Sequence, residues 1–252
     1  MLSASVRVLD VPVNRLTCVE TVETIMQWTT CPGTRVAVGV NAAVCNLAAA
    51  DRGFRRALME ADLRYADGQS IVWAARLLGV GLPERIATTD VINPIAAVAA
   101  QRRKRVFLYG SKPGVAVRAA ARLRDANPGL VIDGRDGYPA PGEVRHVIDE
   151  INAFEPDLLF VGLGDPAQQY WIQAHRHQLN APVILTCGGL FDWASGDNRR
   201  APRWMLASGL EWLWRLMLEP RRLASRYLIG NPVFLLRLAR QLLGRRARAS
   251  LS

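Results

Sequence analysis

An aspartate beside a glycine at the end of an apolar run, Asp67-Gly68 after LRYA (63–66), is placed to take a proton. A carboxylate at a strand end can face a cleft with room for a substrate hydroxyl, which is general-base chemistry. Asp in a D-G turn is also a common helix N-cap, here for the segment that begins at Gln69, and the local sequence leaves both roles open. Other apolar runs end in the same manner. Asn41 follows VAVGV (36–40), Gly110 opens GSKPG (110–114) after RVFLY, residues 162–168 run on to Gln168, and Gly188-Gly189 follows VILTC. Glycine lets a backbone approach a ligand closely, and free helix N-terminal amides attract phosphate. Each signal is weak alone, and YGSKPG (109–114) lacks the full G-x-G-x-x-G, so it fits a tight strand-to-helix connection equally well. The five together point to a nucleotide-type ligand.

The second chemical signal is a series of arginines. From residue 199 to 252 there are twelve, with no lysine and only Glu211 and Glu219 against them, leaving a net +10 that is the whole formal charge of the 252-residue chain. The first 198 residues carry 20 basic and 20 acidic groups and are neutral. Such segregation says that the C-terminal fifth meets something anionic. Arginine alone suits bidentate recognition of phosphate or diphosphate. Arg215, Arg222 and Arg226 fall at i, i+7 and i+11 and share a face if the helix runs on, although Pro220 bends the path. They could neutralise a leaving diphosphate. A solvated basic face, or a nucleic-acid surface with Trp204, Trp212 and Trp214 as stacking groups, stays open. Against nucleic acid, those tryptophans lie among Leu210, Leu213, Leu216 and Met217, a pattern of packing or of membrane contact.

These residues need a scaffold. Apolar runs at 36–40, 63–66, 105–110, 130–134, 157–164 and 182–188 alternate with helical patterns at 42–59, 69–79, 90–103, 114–126, 143–154 and 167–179. Continuous apolar strands imply burial on both faces, and the alternation implies a parallel sheet. The expected class is therefore α/β, a Rossmann-like, mostly parallel sheet flanked by helices, occupying residues 1–197. Residues 1–35 should add an edge strand or hairpin and one helix. After Asp192 the strand signal stops. Residues 198–252 read as a basic helical appendage, with helices near 203–208, 210–219 and 221–227 and a last one opened by Pro232. In that last helix Val233, Phe234, Leu236, Leu238 and Leu242 oppose Arg237, Arg240, Gln241 and Arg248, as in helices that lie on anionic bilayers. Packing of the same apolar side on the body or on another subunit is the alternative.

Composition sets limits. Half of the residues are hydrophobic, which argues against disorder. No basic start precedes an apolar h-region, and no uncharged apolar run nears the roughly 18–20 residues of a membrane span, so a protein kept in the cytoplasm is expected. Cys18, Cys31, Cys45 and Cys187 form no C-x-x-C pair and are expected to be reduced. His175 and His177 read as surface residues, and no Asp-X-Asp is present to hold a divalent ion on a diphosphate.

The chain resembles the WecG/TagA/CpsF family of bacterial glycosyltransferases over nearly its whole length. The resemblance is carried by Asn41, ADLRYADGQSIVWAARLLG (61–79) followed by PER (83–85), RVFLYGSKPGVA (105–116) and PDLLFVGLGDPAQQYWI (156–172). Most specific is the C-terminal block from CGGLFDWASGDNRRAPRWM to GLEWLWRL, EPRRL and RYLIGNP. It implies transfer of a hexose-type residue, often N-acetylmannosamine, from a UDP-sugar to a sugar on undecaprenyl diphosphate, by inversion and without a metal or other cofactor. It further implies that Asp67 is the base, that Asn41 and Gln168 belong to the cleft, and that Arg215, Arg222 and Arg226, with Arg221 adjacent, come from a C-terminal lid. Arg85, Gly110 and Gly188 complete the expected substrate-binding set.

The expected partners are a UDP-sugar, a polyprenyl-diphosphate-linked acceptor and the anionic inner face of the bacterial membrane, where the protein would sit peripherally. Nucleic acid is not among them, and a homo-oligomer stays open. The chain departs from the family pattern at Gly39, where many relatives carry threonine, at Thr88, where they usually carry glycine, and at Ala42-Ala43, which replaces the common Pro-Glu. These positions border the sugar pocket and leave a glucosyl or mannosyl donor as the alternative. A nicotinamide oxidoreductase, a nucleic-acid binder and a non-catalytic scaffold are the remaining rivals.

Overall fold

The computed structural model describes residues 4–249 except 199, 200, 203, 206, 207 and 209, and only the backbone of 222 and 246–249. Six strands form one parallel sheet: β3 (Arg35–Val40), β4 (Leu63–Ala66), β5 (Arg105–Gly110), β6 (Val131–Arg135), β7 (Leu158–Gly162) and β8 (Val183–Thr186), in the order β4-β3-β8-β7-β5-β6. β5, β7 and β8 are almost wholly buried, as expected of continuous apolar strands covered on both faces.

Two helical layers cover the sheet. On one face lie α2 (Ala42–Ala50), α3 (Arg52–Met59), α4 (Gln69–Leu77), α7 (Val144–Phe154) and α8 (Ala167–His175), burying Val44, Phe54, Ile71, Val147 and Ile172. On the other lie α1 (Cys18–Trp28), α5 (Thr88–Gln101), α6 (Val115–Ala126) and α9 (Leu190–Ala194), burying Ile25, Ile95, Ala119 and Phe191. The expected α/β architecture is therefore present. The segment 42–59 is two helices rather than the single one the periodicity predicts. Asp51 ends α2 in an extended conformation, and its carboxylate caps α3 by accepting from the amides of Gly53 at 2.9 Å and Phe54 at 3.0 Å.

The N-terminal strands β1 (Ser5–Val8) and β2 (Val11–Asn14) form a hairpin whose turn residues, Leu9 and Asp10, both have positive φ. It covers the β4 edge through Arg64, whose amide donates to Asn14 Oδ1 and whose Nε donates to the Pro12 carbonyl, both at 3.0 Å. A bare edge would invite pairing with another chain.

Beyond the body come α10 (Glu211–Leu218), α11 (Pro220–Ala224), a π-helical turn (Ser225–Ile229) and α12 (Gly230–Ala249). The helix expected near 203–208 falls largely outside the described residues. Pro220 breaks the path as expected, whereas Pro232 lies inside α12 instead of opening it. The π turn, closed by the Gly230 amide on the Ser225 carbonyl, shifts the hydrogen-bond register just ahead of that proline. α12 packs on α2 and buries Phe234 and Leu238 in the body's own core. Two of its arginines are spent on the body: Arg237 donates to the Asn46 carbonyl at 2.9 Å, and Arg245 to the Leu78 carbonyl at 3.1 Å. Leu235, Leu236 and Leu243 stay exposed. The two expectations for this helix, body packing and an outward apolar face, are thus split between two sides of it. Among the described residues, no helix is long and apolar enough to cross a membrane.

Candidate active site

The chain leaves β3 into α2 on one face of the sheet and leaves the adjacent β8 into α9 on the other. The divergence opens a crevice at the carboxyl ends of these two strands, the place where open α/β sheets bind ligands. A cavity of about 560 Å³ occupies it, roofed by α10, the π turn and the start of α12.

Asn41 ends β3 in an extended conformation and caps α2, its Oδ1 accepting from the amides of Ala43 at 3.1 Å and Val44 at 3.2 Å. With Oδ1 committed, Nδ2 faces the crevice and donates to Asp67 Oδ2 at 3.1 Å. Asp67 does not cap α4, whose N-cap is Gly68 without a side-chain bond. Its other oxygen, Oδ1, accepts from the Thr88 amide at 2.9 Å and from Thr88 Oγ1 at 3.2 Å. Behind Thr88 stands Tyr65, with 3.0 Å between the two hydroxyl oxygens. Burial first, and then the charge of Asp67, push the Tyr65 phenol far up, so it stays protonated. With Tyr65 donating to Thr88, the Thr88 proton is directed at Asp67. Oδ1 is thus held by two donors, while Oδ2 has one and keeps a lone pair for a further proton. Position 39 packs closely against this carboxylate: a Cβ on Gly39 would lie 3.0 Å from the Asp67 Cβ, so a side chain there requires its neighbours to shift by a few tenths of an ångström.

Cations approach from the roof. Arg226, in the π turn, donates from Nη2 to Asn41 Oδ1 at 3.2 Å. Arg215, on α10, lies with its guanidinium carbon 5.0 Å from the centre of the Trp193 ring, and its Nε, buried without a hydrogen-bond acceptor, is 3.6 Å from Glu211 Oε1. Arg85 joins roof to body, donating to Glu211 Oε2 at 2.6 Å and to Asp90 Oδ2 at 2.9 Å. Burial lowers the Arg85 pKa, but Glu211, Asp90 and Asp67 outweigh it and raise the net value. On the far wall Gln168 Oε1 accepts from the Gly188 amide at 3.0 Å while Nε2 donates to Asp165 Oδ1 at 2.7 Å, fixing the glycine turn that follows β8.

Seven of the ten residues singled out in the sequence line this one cavity: Asp67, Asn41, Arg85, Gln168, Gly188, Arg215 and Arg226. Arg221 is exposed and Gly110 lies outside the lining. The side chain of Arg222 is outside the described residues. A physical reason accounts for Gly110. It has φ of 139°, and a Cβ there would come within 2.5 Å of the Gly162 backbone on β7. The turn after it is also occupied internally, since Asp136 accepts from the Gly114 amide at 2.7 Å and Asp192 from Ser111 Oγ at 2.9 Å. The GSKPG turn therefore does not join the other strand ends at the cavity. Cys187 lines the cavity, but burial holds its thiol protonated, and burial pushes the Cys45 thiol up to about 12.

A family model described as glycosyl transferase WecG/TagA/CpsF family matches residues 6–248. The chain belongs to this family. It is 37% identical over 170 residues to an N-acetylglucosaminyldiphosphoundecaprenol N-acetyl-beta-D-mannosaminyltransferase of Bacillus spizizenii W23, an alignment covering 67% of the chain and 65% of that relative's length. A protein of the same name from Bacillus subtilis 168 is 36% identical over 184 residues, 73% of the chain and 71% of the relative. Another from Staphylococcus aureus NCTC 8325 is 27% identical over 240 residues, 94% and 93%. In this member of the family the cavity also contains residues that the sequence reading did not assign to it: Glu211, Trp212 and Asp165. Thr88, expected to border the sugar pocket, lines the cavity, whereas Glu211 stood out only as one of two acids in a basic segment.

Proposed function

We propose that the protein transfers an N-acetylhexosamine of the N-acetylmannosamine type from a UDP-sugar to a sugar carried on undecaprenyl diphosphate. Glucose or mannose is the alternative donor sugar, because the departures at Gly39 and Thr88 border the reacting carboxylate. The reading draws on the family, on the relatives' names and on one geometric observation: a half-buried carboxylate with a free lone pair shares its cavity with guanidinium groups delivered by the C-terminal helices.

In this reading Asp67 Oδ2 takes the proton of the acceptor hydroxyl as that oxygen bonds to the anomeric carbon. The bond from that carbon to the UDP oxygen breaks on the opposite face, so configuration inverts and no sugar–enzyme bond forms. UDP departs with its charge facing Arg215 and Arg226, whose guanidinium groups supply compensation that a metal would otherwise give. General-base help is worth about 10²–10⁴-fold, and one such electrostatic contact about 10²–10³-fold. The exposed apolar side chains of the roof, Leu213, Met217, Ile229 and Leu236 among them, lie beside the arginine-rich segment and suit the surface of an anionic membrane.

The test is release of UDP from a panel of UDP-hexoses with a short-chain lipid-diphosphate N-acetylglucosamine as acceptor. Asp67→Asn should lower turnover by at least about 10²-fold while UDP still binds. Near-normal turnover of that variant removes the base, and no UDP release from any donor removes the reading.

A further inference from the structure

The mouth of the cavity has two unlike lips. Among the described residues that line it, Trp73, Leu228, Pro232, Leu235 and Asp165 are exposed. Asp165 belongs to the loop after β7. The other four, all apolar, come from α4, which follows β4, and from the π turn and α12, which packs on α2. β3 and β8 separate the two sides in the sheet. Trp73 is 49% exposed, Leu228 63% and Leu235 61%, so hydrocarbon that also borders the catalytic cavity faces solvent. Positions 228, 232 and 235 fall at i, i+4 and i+7, one face of the roof. Leu77, one turn beyond Trp73, extends the apolar strip outward.

What such a lip holds is constrained by its neighbour. Arg226 and Leu228 stand in the same π turn, one reaching inward to Asn41 and the other at the mouth. A ligand that leaves the guanidinium-lined cavity across Leu228 must carry hydrocarbon directly after its charged group. A nucleotide sugar does not; a prenyl diphosphate does.

We infer that Trp73, Leu228, Pro232 and Leu235 form a binding site for the first isoprenoid units of the lipid acceptor, distinct from the apolar side chains that rest on the bilayer. The inference depends on the transferase reading above. It gives the acceptor's chain a role in recognition, so the enzyme distinguishes lipid lengths in free solution, with no membrane present. A tenfold gain in kcat/KM requires only about 55 Å² of hydrocarbon to leave water, which is less than three isoprene units present.

The experiment compares N-acetylglucosaminyl diphosphates bearing a methyl or a farnesyl group, in buffer free of detergent and lipid and below the farnesyl compound's aggregation limit. The quantity read is the ratio of the two kcat/KM values within one enzyme preparation, so a partly misfolded variant does not distort it. The expected ratio is about tenfold or more for the wild type. It should fall to about twofold or less in the double variant Trp73→Ser with Leu235→Ser, and return in Trp73→Phe. A wild-type ratio near one would mean that the strip touches only bilayer and would overturn the inference. A large ratio that survives the double variant would overturn it by placing the chain elsewhere. Failure of the wild type to use either acceptor would instead bring down the transferase reading, and the lip with it.

Discussion

Asp67 has three hydrogen-bond donors around it, the Asn41 amide, the Thr88 backbone amide and the Thr88 hydroxyl. The Thr88 amide would hold Oδ1 whatever the side chain, so the hydroxyl's contribution is orientation, with Tyr65 as a buried support behind it. Thr88→Val keeps the shape but removes both bonds and strands the Tyr65 hydroxyl, a loss of about 1–3 kcal/mol in stability. Initial-rate kinetics should show kcat down about tenfold with KM nearly unchanged, and Thr88→Ser should restore most of it. A rise in KM with kcat intact would mean that Thr88 contacts substrate instead. Asp67 was legible in the sequence because a D-G pair after an apolar run is a local pattern. Tyr65 and Thr88 meet across 23 residues, and nothing local in LRYA or ATTD announces that contact. Gly110 shows the converse: its local pattern suggested a ligand, while the demand on it comes from Gly162 on a neighbouring strand.

Among the elements, α10 is the one whose position decides where Arg215 points. None of its residues is buried, so packing alone holds it weakly. The tie is Glu211, with 12% of its side chain exposed, bonded to Arg85, with 18%. Glu211→Gln leaves Arg85 its partner Asp90 and withdraws the charge that faces Arg215. The expected consequence is a looser roof: amide exchange in α10 faster by about tenfold or more, in β5 unchanged, and kcat/KM lower by about tenfold. Unaltered α10 exchange would show that other contacts hold it. The sheet was readable strand by strand, because burial on both faces leaves unbroken apolar runs. The roof was less so. Proline at 232 signals a helix start in sequence, yet the π turn before it absorbs the register change, and the second face of α12 became visible only when α2 was seen to cover Phe234 and Leu238.

For the whole molecule, the division of charge is the property that the fold converts into orientation. The +10 belongs to the last 54 residues, the segment that also supplies the roof and, with Leu228 and Leu235, part of the cavity mouth, so a molecule resting on that roof would present its mouth to the lipid. Each basic residue near an anionic surface contributes about 1 kcal/mol, screened over roughly 8 Å at physiological salt. Arg237 and Arg245, bonded to backbone carbonyls of the body, are less free to contribute. Deleting the C-terminal segment is a poor test of this, because it would uncover the core around Phe234 and Leu238. Charge placed on the outward face is the better one: Ile229 and Leu236 are 64% and 54% exposed, and aspartate there should leave the fold within about 0.5 kcal/mol. In flotation with vesicles rich in phosphatidylglycerol, the wild type should rise with the lipid, and less of it as salt increases. Ile229→Asp with Leu236→Asp should stay largely in the dense fraction at every salt concentration. Equal flotation of the two proteins would move the membrane contact off the roof, and with it the reason for the mouth to open where it does.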